Sequence, residues 1–590
     1  MDAEEITQQG LKLFRKANQL FSEGHYKAAA ESYEQAVRHI PSAPEIIVNL
    51  AAAYIHLHRM QEAYALLAGV LHHVPLPQAW LNLGLWHEKQ EQRQDAAACY
   101  QRALALKPDY VEAAFNLGNV LFDSGDADAS LQQACFAYER LPEASAESDE
   151  ALSDILYRAA HACDWATIDR YMPRFRERLA HHPTAIKPMT VLTLMDDASL
   201  QRRNAERWQA TKCPAASSAY FPAWTGKRVY ANPRIRLGYL SSDFHHHATS
   251  LLMAGLFESH DRNLFEVTLY SYGRDDQSPM RQRLLSAVEH VRDIRLLNDS
   301  EAAQQIHADQ VDILIDLKGH TKQNRMGILA HRPAPCQLHY LGFPNTTGTP
   351  YIDGYIGDPV TLPQGMEAHF SEPLYRLPRC YQVNDARRIM PAPCTDRARH
   401  GLPQAGVVLG CFNQAYKITP EVFSQWMDLL REIPESVLWL YVADATAQRR
   451  LHVASEASGI DRSRVIFAAH FEHDAHLARY GCMDLFLDTF PCTAHTTASE
   501  ALWMGVPLIT RMGESFASRV SASLLTYAGM PHLIAHTPDE YQRMASHLAR
   551  DTEARLTLKN NLVQHREQLP IFDTQGFTRD WEMLLQNLLA

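Results

Sequence analysis

His495, Thr496 and Thr497 set one imidazole and two hydroxyls between an apolar run, MDLFLDTF, and a stretch of helical composition, ASEALWMG. Gly505 before Val506-Pro507 stops that helix, and VPLIT beyond it reads as a neighbouring parallel strand with the helix as crossover. His495–Thr497 then lie at a helix N-terminus, at the carboxyl end of a strand. Free backbone N–H groups, the helix dipole and two hydroxyls converge there on a phosphate-sized space. Upstream, GCFNQAYKIT places Asn413, Gln414 and Lys417 directly after another apolar run, and Thr419-Pro420 opens a helix as N-cap and first residue. A lysine at that strand end suits a diphosphate, and in a transfer reaction it neutralises the charge on a departing nucleotide diphosphate. The plainer alternatives are a threonine-capped helix with a surface histidine, and a solvated lysine.

SSDFHHHATSLLM carries three successive histidines after a strand. A metal site is a poor match, because adjacent side chains diverge and no acidic cluster stands nearby. The triplet Asp126-Ala127-Asp128 falls elsewhere, in a repeat turn. The better reading has one histidine, His247, facing a cleft, with His245 and His246 in the loop. QQIHADQ sets His307 on a helix just before the strand VDILID, where it either faces the cleft or packs at the helix end. Gly342, Pro344 and Gly348 make LGFPNTTGTP a tight loop, of the kind that shapes an acceptor site.

Two kinds of element must position these residues. Over residues 1–142, prolines recur at Pro41, Pro75, Pro108 and Pro142, small residues at Ala29, Ala63 and Ala96, and bulky ones at Tyr33, Leu67 and Tyr100. A period of about 34 residues is the tetratricopeptide helix–turn–helix signature, which builds a superhelix with a concave face. Asn49, Asn82 and Asn116 share one phase of the repeat. A column of amides can grip an extended polypeptide by its backbone. Residues 143–230 read as a helical bridge and linker. From Arg234 the pattern alternates strand and helix, giving one Rossmann-like domain over 231–400, a second over 401–575 and a closing helix at 576–590. The fold class is thus multidomain, α followed by α/β, with a cleft between the carboxyl ends of two sets of strands.

Composition narrows the function. A formal charge of −12 argues against a general nucleic-acid binder. No long apolar run spans a membrane, and MDAEEITQQG is too polar for a signal peptide. Ten scattered cysteines without CxxC pairs read as reduced thiols in the cytoplasm.

HTTASEALWMGVPLIT, FNQAYK, SSDFHHHATSLLM and AHRPAPCQLHYLGFP, behind tetratricopeptide repeats, resemble the O-linked N-acetylglucosamine transferases of glycosyltransferase family 41. The resemblance covers nearly the whole chain, which looks like a bacterial member. It implies a GT-B fold, a UDP-sugar donor, no metal and inversion at the anomeric carbon. It implies that Lys417 binds the diphosphate with Gln414 nearby, and that His495, Thr496 and Thr497 hold phosphates and ribose. His476 and Arg479 match a histidine and an arginine near the nucleotide, His247 a cleft histidine, and His307 a histidine for acid–base or positioning work. The chain departs from the animal enzymes at three positions. His473 replaces a lysine near uridine, Gln304 an aspartate one turn before His307, and Glu500 an aspartate that receives a ribose hydroxyl. The implied reaction moves N-acetylglucosamine from UDP-N-acetylglucosamine to Ser or Thr hydroxyls of polypeptides bound along the repeats. Transfer of hexose to asparagine and a non-catalytic peptide-binding scaffold are the alternatives.

Overall fold

The computed structural model describes residues 3–143, 145–181 and 185–589. The chain divides into two compact units, Met1–Arg158 and Ala159–Ala590.

The first unit is a stack of helix pairs: Ala3–Ser22 with Tyr26–His39, Pro44–His56 with Met60–His73, Pro77–Lys89 with Arg93–Leu106, and Val111–Asp123 with Ala127–Tyr138. The repeated small residues Ala29, Ala63 and Ala96 are fully buried, so neighbouring helices approach closely. Tyr33, Leu67 and Tyr100 fill the seams between them. Gly84 is required for the same reason, because a Cβ there would meet the Tyr100 ring. Pro41, Pro75, Pro108 and Pro142 each follow the end of a second helix, where a missing N–H does no harm.

In the second unit, helices Trp165–His181, Pro188–Leu194 and Ala198–Lys212 precede two parallel sheets. The first sheet holds β1 (Ile235–Ser241), β2 (Phe265–Ser271), β3 (His290–Asp293), β4 (Ile313–Asp316), β5 (Cys336–His339), β6 (Gly354–Gly357) and β7 (Leu374–Arg376). Their spatial order is β3-β2-β1-β4-β5-β6-β7. The second sheet holds β8 (Val408–Cys411), β9 (Val437–Leu440), β10 (Val465–Phe467), β11 (Leu485–Leu487), β12 (Leu508–Arg511) and β13 (Ile534–Ala535), in the order β10-β9-β8-β11-β12-β13. Strands such as ILID in β4 and VLWL in β9 are buried along their whole length, as expected for parallel sheets covered on both faces. MDLFLDTF and VPLIT do become adjacent parallel strands, β11 and β12, joined by helix Thr496–Trp503.

The chain crosses between lobes twice, side by side. Thr574 Oγ1 donates to Asn384 O at 2.7 Å and accepts from Ala386 N at 2.8 Å. The closing helix Thr574–Leu589 therefore returns to the first lobe, where Trp581 Nε1 donates to the Tyr239 hydroxyl at 3.0 Å. The bridge helices tie to both lobes. Asp196 accepts from Ser515 N at 2.8 Å and Glu514 N at 2.9 Å, while Gln201 Oε1 accepts from Asn345 Nδ2 at 2.7 Å. Among the described residues, no helix is long and apolar enough to cross a membrane.

Candidate active site

Both sheets reverse their strand order at an interior point, between β1 and β4 in the first lobe and between β8 and β11 in the second. Crevices open at the carboxyl ends of strands at such points. His245–His247 follow β1, Asn413–Lys417 follow β8, and Thr493–Thr497 follow β11. Residues far apart in sequence therefore meet for topological reasons.

In the second lobe the meeting point is organised by Asp488, 2% exposed at the end of β11. Its Oδ1 accepts from Ala494 N at 2.7 Å, Thr489 N at 2.8 Å and Asn413 Nδ2 at 3.1 Å, and its Oδ2 from Thr510 Oγ1 at 2.7 Å. Burial pushes its carboxyl above the usual aspartate range, although these hydrogen bonds oppose the shift. The loop Thr489–His495 is thus wrapped around one carboxylate. Asn413 extends the network, since Thr497 Oγ1 donates to its Oδ1 at 2.5 Å. Lys417, 8% exposed, reaches across from β8 and donates Nζ–H to Thr493 O at 2.7 Å. Its ammonium is held three residues before the start of the Thr496–Trp503 helix. Burial, then the nearby Lys417 charge, push His495 well below its ordinary value, so its ring is neutral. Gln414 is exposed at the rim.

A second cluster stands on the same helix. Glu500, 6% exposed, lies with Oε2 3.5 Å from His476 Nε2 and Oε1 4.0 Å from His473 Nδ1. Burial alone raises this carboxyl, but His476, His473 and Arg388 outweigh it and hold it below its ordinary value. It is therefore an ionised acceptor. Arg479 does not project into the space. It is 1% exposed, donates to Ala469 O at 2.5 Å, contacts His476 Nδ1, and lies 4.5 Å from the Phe412 ring centroid. Its role is to fix the His476 imidazole. Glu500, His473 and Thr496 line a cavity of about 590 Å³ with His246, Met280 and Arg388 from the facing side.

The first lobe contributes its histidine loop. His247 caps helix Ala248–Ser259, its Nδ1 accepting from Thr249 N at 3.2 Å. That bond assigns the proton of the neutral ring to Nε2. Burial lowers the His247 pKa and keeps it neutral, with Asp243 opposing. Asp243 Oδ2 is 3.5 Å away and is itself gripped by Lys318 Nζ at 2.9 Å to both oxygens. His247 therefore offers a hydrogen-bond donor. His246, expected in the loop, lines the cavity with its ring centroid 5.9 Å from that of His473.

Beyond Arg479, two expectations in the first lobe fail. His307 sits at the C-terminal end of helix Asp299–Ala308, just ahead of β4, and so at the amino end of the sheet, away from the cleft. Its ring stacks on Tyr220 at 4.3 Å and lies against Phe221, both in the linker that runs beneath that end. It packs at the helix end and takes no catalytic position. The loop LGFPNTTGTP is also not an open acceptor wall. Asn345, Thr346, Thr347 and Thr349 are at most 3% exposed, and Glu372 Oε1 accepts from Thr347 N at 2.7 Å. The loop braces the lobe from within.

A family model described as glycosyl transferase family 41 matches residues 217–395 and 390–581, which takes in both lobes. The chain belongs to this family. Tetratricopeptide models match residues 20–83 and 89–125. A probable UDP-N-acetylglucosamine–peptide N-acetylglucosaminyltransferase, SEC, of Arabidopsis thaliana is 36% identical over 362 residues, covering 60% of this chain and 37% of that protein. The Caenorhabditis elegans UDP-N-acetylglucosamine–peptide N-acetylglucosaminyltransferase is 27% identical over 469 residues, covering 60% of this chain and 41% of that one. The chain thus spans about two fifths of these relatives' length. A solved structure of a mutant Thermobaculum terrenum O-GlcNAc transferase superposes with a TM-score of 0.70 at 27% identity, covering 93% of this chain and 98% of that one.

Within this family-41 chain, several site residues escape a reading of the sequence. Asp488 gives a weak signal as a lone carboxylate closing an apolar run. Asp243, Lys318 and Arg388 give none, because their partners lie on other strands or in the crossing between lobes. Burial lowers Arg388 to about 10, and its guanidinium lies 4.8 Å from the Trp503 ring centroid. It is a cleft cation that composition cannot reveal.

In the repeat unit the three asparagines do not form a uniform column. Asn82 is 2% exposed and donates to Val48 O at 3.0 Å, stitching one repeat to the previous one. Asn49 donates to Asn18 Oδ1 at 3.0 Å, and Asn116 is half-buried. Asn82→Ala should lower the unfolding midpoint, because it removes a buried hydrogen bond between repeats worth about 0.5–1.5 kcal/mol. A loss of peptide affinity with an unchanged midpoint would show instead that Asn82 faces peptide.

Proposed function

We propose that this chain transfers N-acetylglucosamine from UDP-N-acetylglucosamine to Ser and Thr hydroxyls of polypeptides, with inversion and without a catalytic metal. The observation that carries this reading is the arrangement of one helix. The Lys417 ammonium is held at Thr493 O, in the loop that leads into this helix at Thr496 and Thr497, and Glu500 one turn on stands beside His473 and His476. A diphosphate fits the first cluster. A nucleoside fits the second, where ionised Glu500 accepts from ribose hydroxyls and the histidines supply flat faces and ring N–H groups. The names of the relatives support the donor sugar and the peptide acceptor.

In the proposed step, an acceptor hydroxyl oxygen attacks the anomeric carbon from the face opposite the phosphate oxygen. The C–O bond to the diphosphate breaks, and its electron pair stays on UDP. Lys417 and the helix end stabilise the charge that builds there. With His247 Nδ1 already accepting from Thr249, Nε2–H orients the acceptor or sugar by donation, and the leaving phosphate takes the hydroxyl proton. The polypeptide is guided along the concave face of the repeats, through Asn49 and Asn116 among other residues. The ten cysteines, all free thiols, fit a cytoplasmic enzyme.

Because Lys417 supplies the leaving-group charge, EDTA should leave the turnover number at saturating donor within about twofold, whereas removing a catalytic cation costs several kcal/mol. Abolition by EDTA with recovery in manganese would contradict the metal-free step. The reading as a whole is tested by calorimetry with UDP, UDP-N-acetylglucosamine and UDP-glucose, paired with turnover on polypeptide. Binding and turnover with the N-acetylated donor support it. Preference for UDP-glucose indicates hexose transfer, and absence of nucleotide binding indicates a scaffold.

A further inference from the structure

Where the chain enters the second lobe, three soft donor groups converge that the proposed step does not use. Cys394 lies in the segment that follows the first crossing between lobes, His400 ends the turn Ala398–His400, and Cys482 ends the turn Tyr480–Cys482. One ligand atom from each lies within 4.8 Å of the other two. The approach is built into the backbone. Cys394 N donates to Ala478 O at 2.8 Å, and a Cβ at Gly481 would sit 2.5 Å from Cys394 O, so that position needs glycine.

The three groups are poorly satisfied by protein alone. Cys482 Sγ donates to Cys394 O at 3.2 Å, and Cys394 Sγ approaches Asp396 O at 3.8 Å, both weak thiol contacts. Among the described residues His400 Nε2 is buried without a hydrogen-bond partner, its ring centroid 5.3 Å from that of Trp439 and 5.8 Å from that of Phe471. Two sulfurs and one imidazole this close form a soft donor set that a zinc-class cation binds with release of the thiol protons.

We infer that Cys394, His400 and Cys482 form a binding site for a zinc-class cation, with the fourth coordination position open on the half-buried Cys394 side. Thiolate sulfurs about 2.3 Å from a tetrahedral zinc lie about 3.8 Å apart, a small contraction from the present spacing. The ion would pin residues 394–400 to the turn that ends helix His473–Arg479. Through that helix it would set the position of His476, a consequence that rests on the donor-site reading above. Cation binding itself does not.

The full-length protein, reduced and freed of metal by chelation, is titrated with cobalt(II) without oxygen. A thiolate-to-cobalt charge-transfer band that saturates at one ion per chain and is displaced by zinc is expected. Cys394→Ser and Cys482→Ser should each weaken that band and their combination abolish it, while Cys135→Ser, in the repeats, leaves it intact. His400→Gln, the mildest variant should the serine variants misfold, should lower cobalt affinity while keeping the sulfur band. The site is refuted if the wild type shows no band, if the double variant keeps it, or if metal-free protein carries a Cys394–Cys482 disulfide. UDP calorimetry on the same samples separates the two claims. Metal binding without any effect on UDP affinity refutes only the link to His476.

Discussion

Lys417→Ala should be the most damaging single substitution in the cleft. The ammonium is held 2.7 Å from Thr493 O, in the loop that leads into the helix start, where charge develops as the sugar–phosphate bond breaks. Removing one such electrostatic contact typically costs about 3–4 kcal/mol, or roughly 10²–10³ in turnover. UDP affinity should fall less, because ground-state UDP keeps the helix N-terminus and the Thr496 and Thr497 hydroxyls. Lys417→Arg should rescue poorly, since a planar fork does not fit a slot shaped for a compact ammonium. The measurement is a pair: UDP binding by calorimetry, and turnover of the sugar donor. Turnover within about threefold of wild type, well short of that loss, would mean that another cation carries the leaving-group charge. Arg388 is then the candidate, because Arg479 is committed to Ala469 O and the His476 ring.

Asp488→Ala should rank next and act differently. The carboxylate accepts from two backbone N–H groups, the Asn413 amide and the Thr510 hydroxyl, and it is buried. Leaving several buried donors without an acceptor costs about 1–3 kcal/mol each. The relaxed loop can no longer present Thr493 O to Lys417 or the Thr496 hydroxyl to a phosphate. The unfolding midpoint should drop and UDP binding should weaken together. Asp488→Asn, which retains one carbonyl acceptor, should lose less of both. A wild-type midpoint with wild-type UDP affinity in Asp488→Ala would show that the loop is held by its backbone alone.

The repeats were legible because one period fixes small, bulky and proline positions at once, and tertiary packing reuses that period as seams. The switch-point strands were legible because apolar runs bounded by turn residues mark them, and motif residues sit at their carboxyl ends. The outer strands β3, β6, β7 and β13 were not. HVRD in β3 is polar, and β6, β7 and β13 are two to four residues long, too short to show alternation. His307 was misplaced because a residue that precedes a strand lies at its amino end, and the order of elements matters more there than residue type. The return of Trp581 to Tyr239 and the burial of Asn82 depend on contacts between distant segments, to which a local pattern is blind.

The central claim is that this cleft passes an N-acetylglucosamine unit to a hydroxyl. It is tested most directly by incubating the full chain with UDP-N-acetylglucosamine and a polypeptide acceptor, then locating the added mass by fragmentation that preserves glycosidic bonds. An N-acetylhexosamine on Ser or Thr, absent with Lys417→Ala, is the predicted result. A hexose on asparagine from UDP-glucose, or no modification by a preparation that binds UDP, would contradict it.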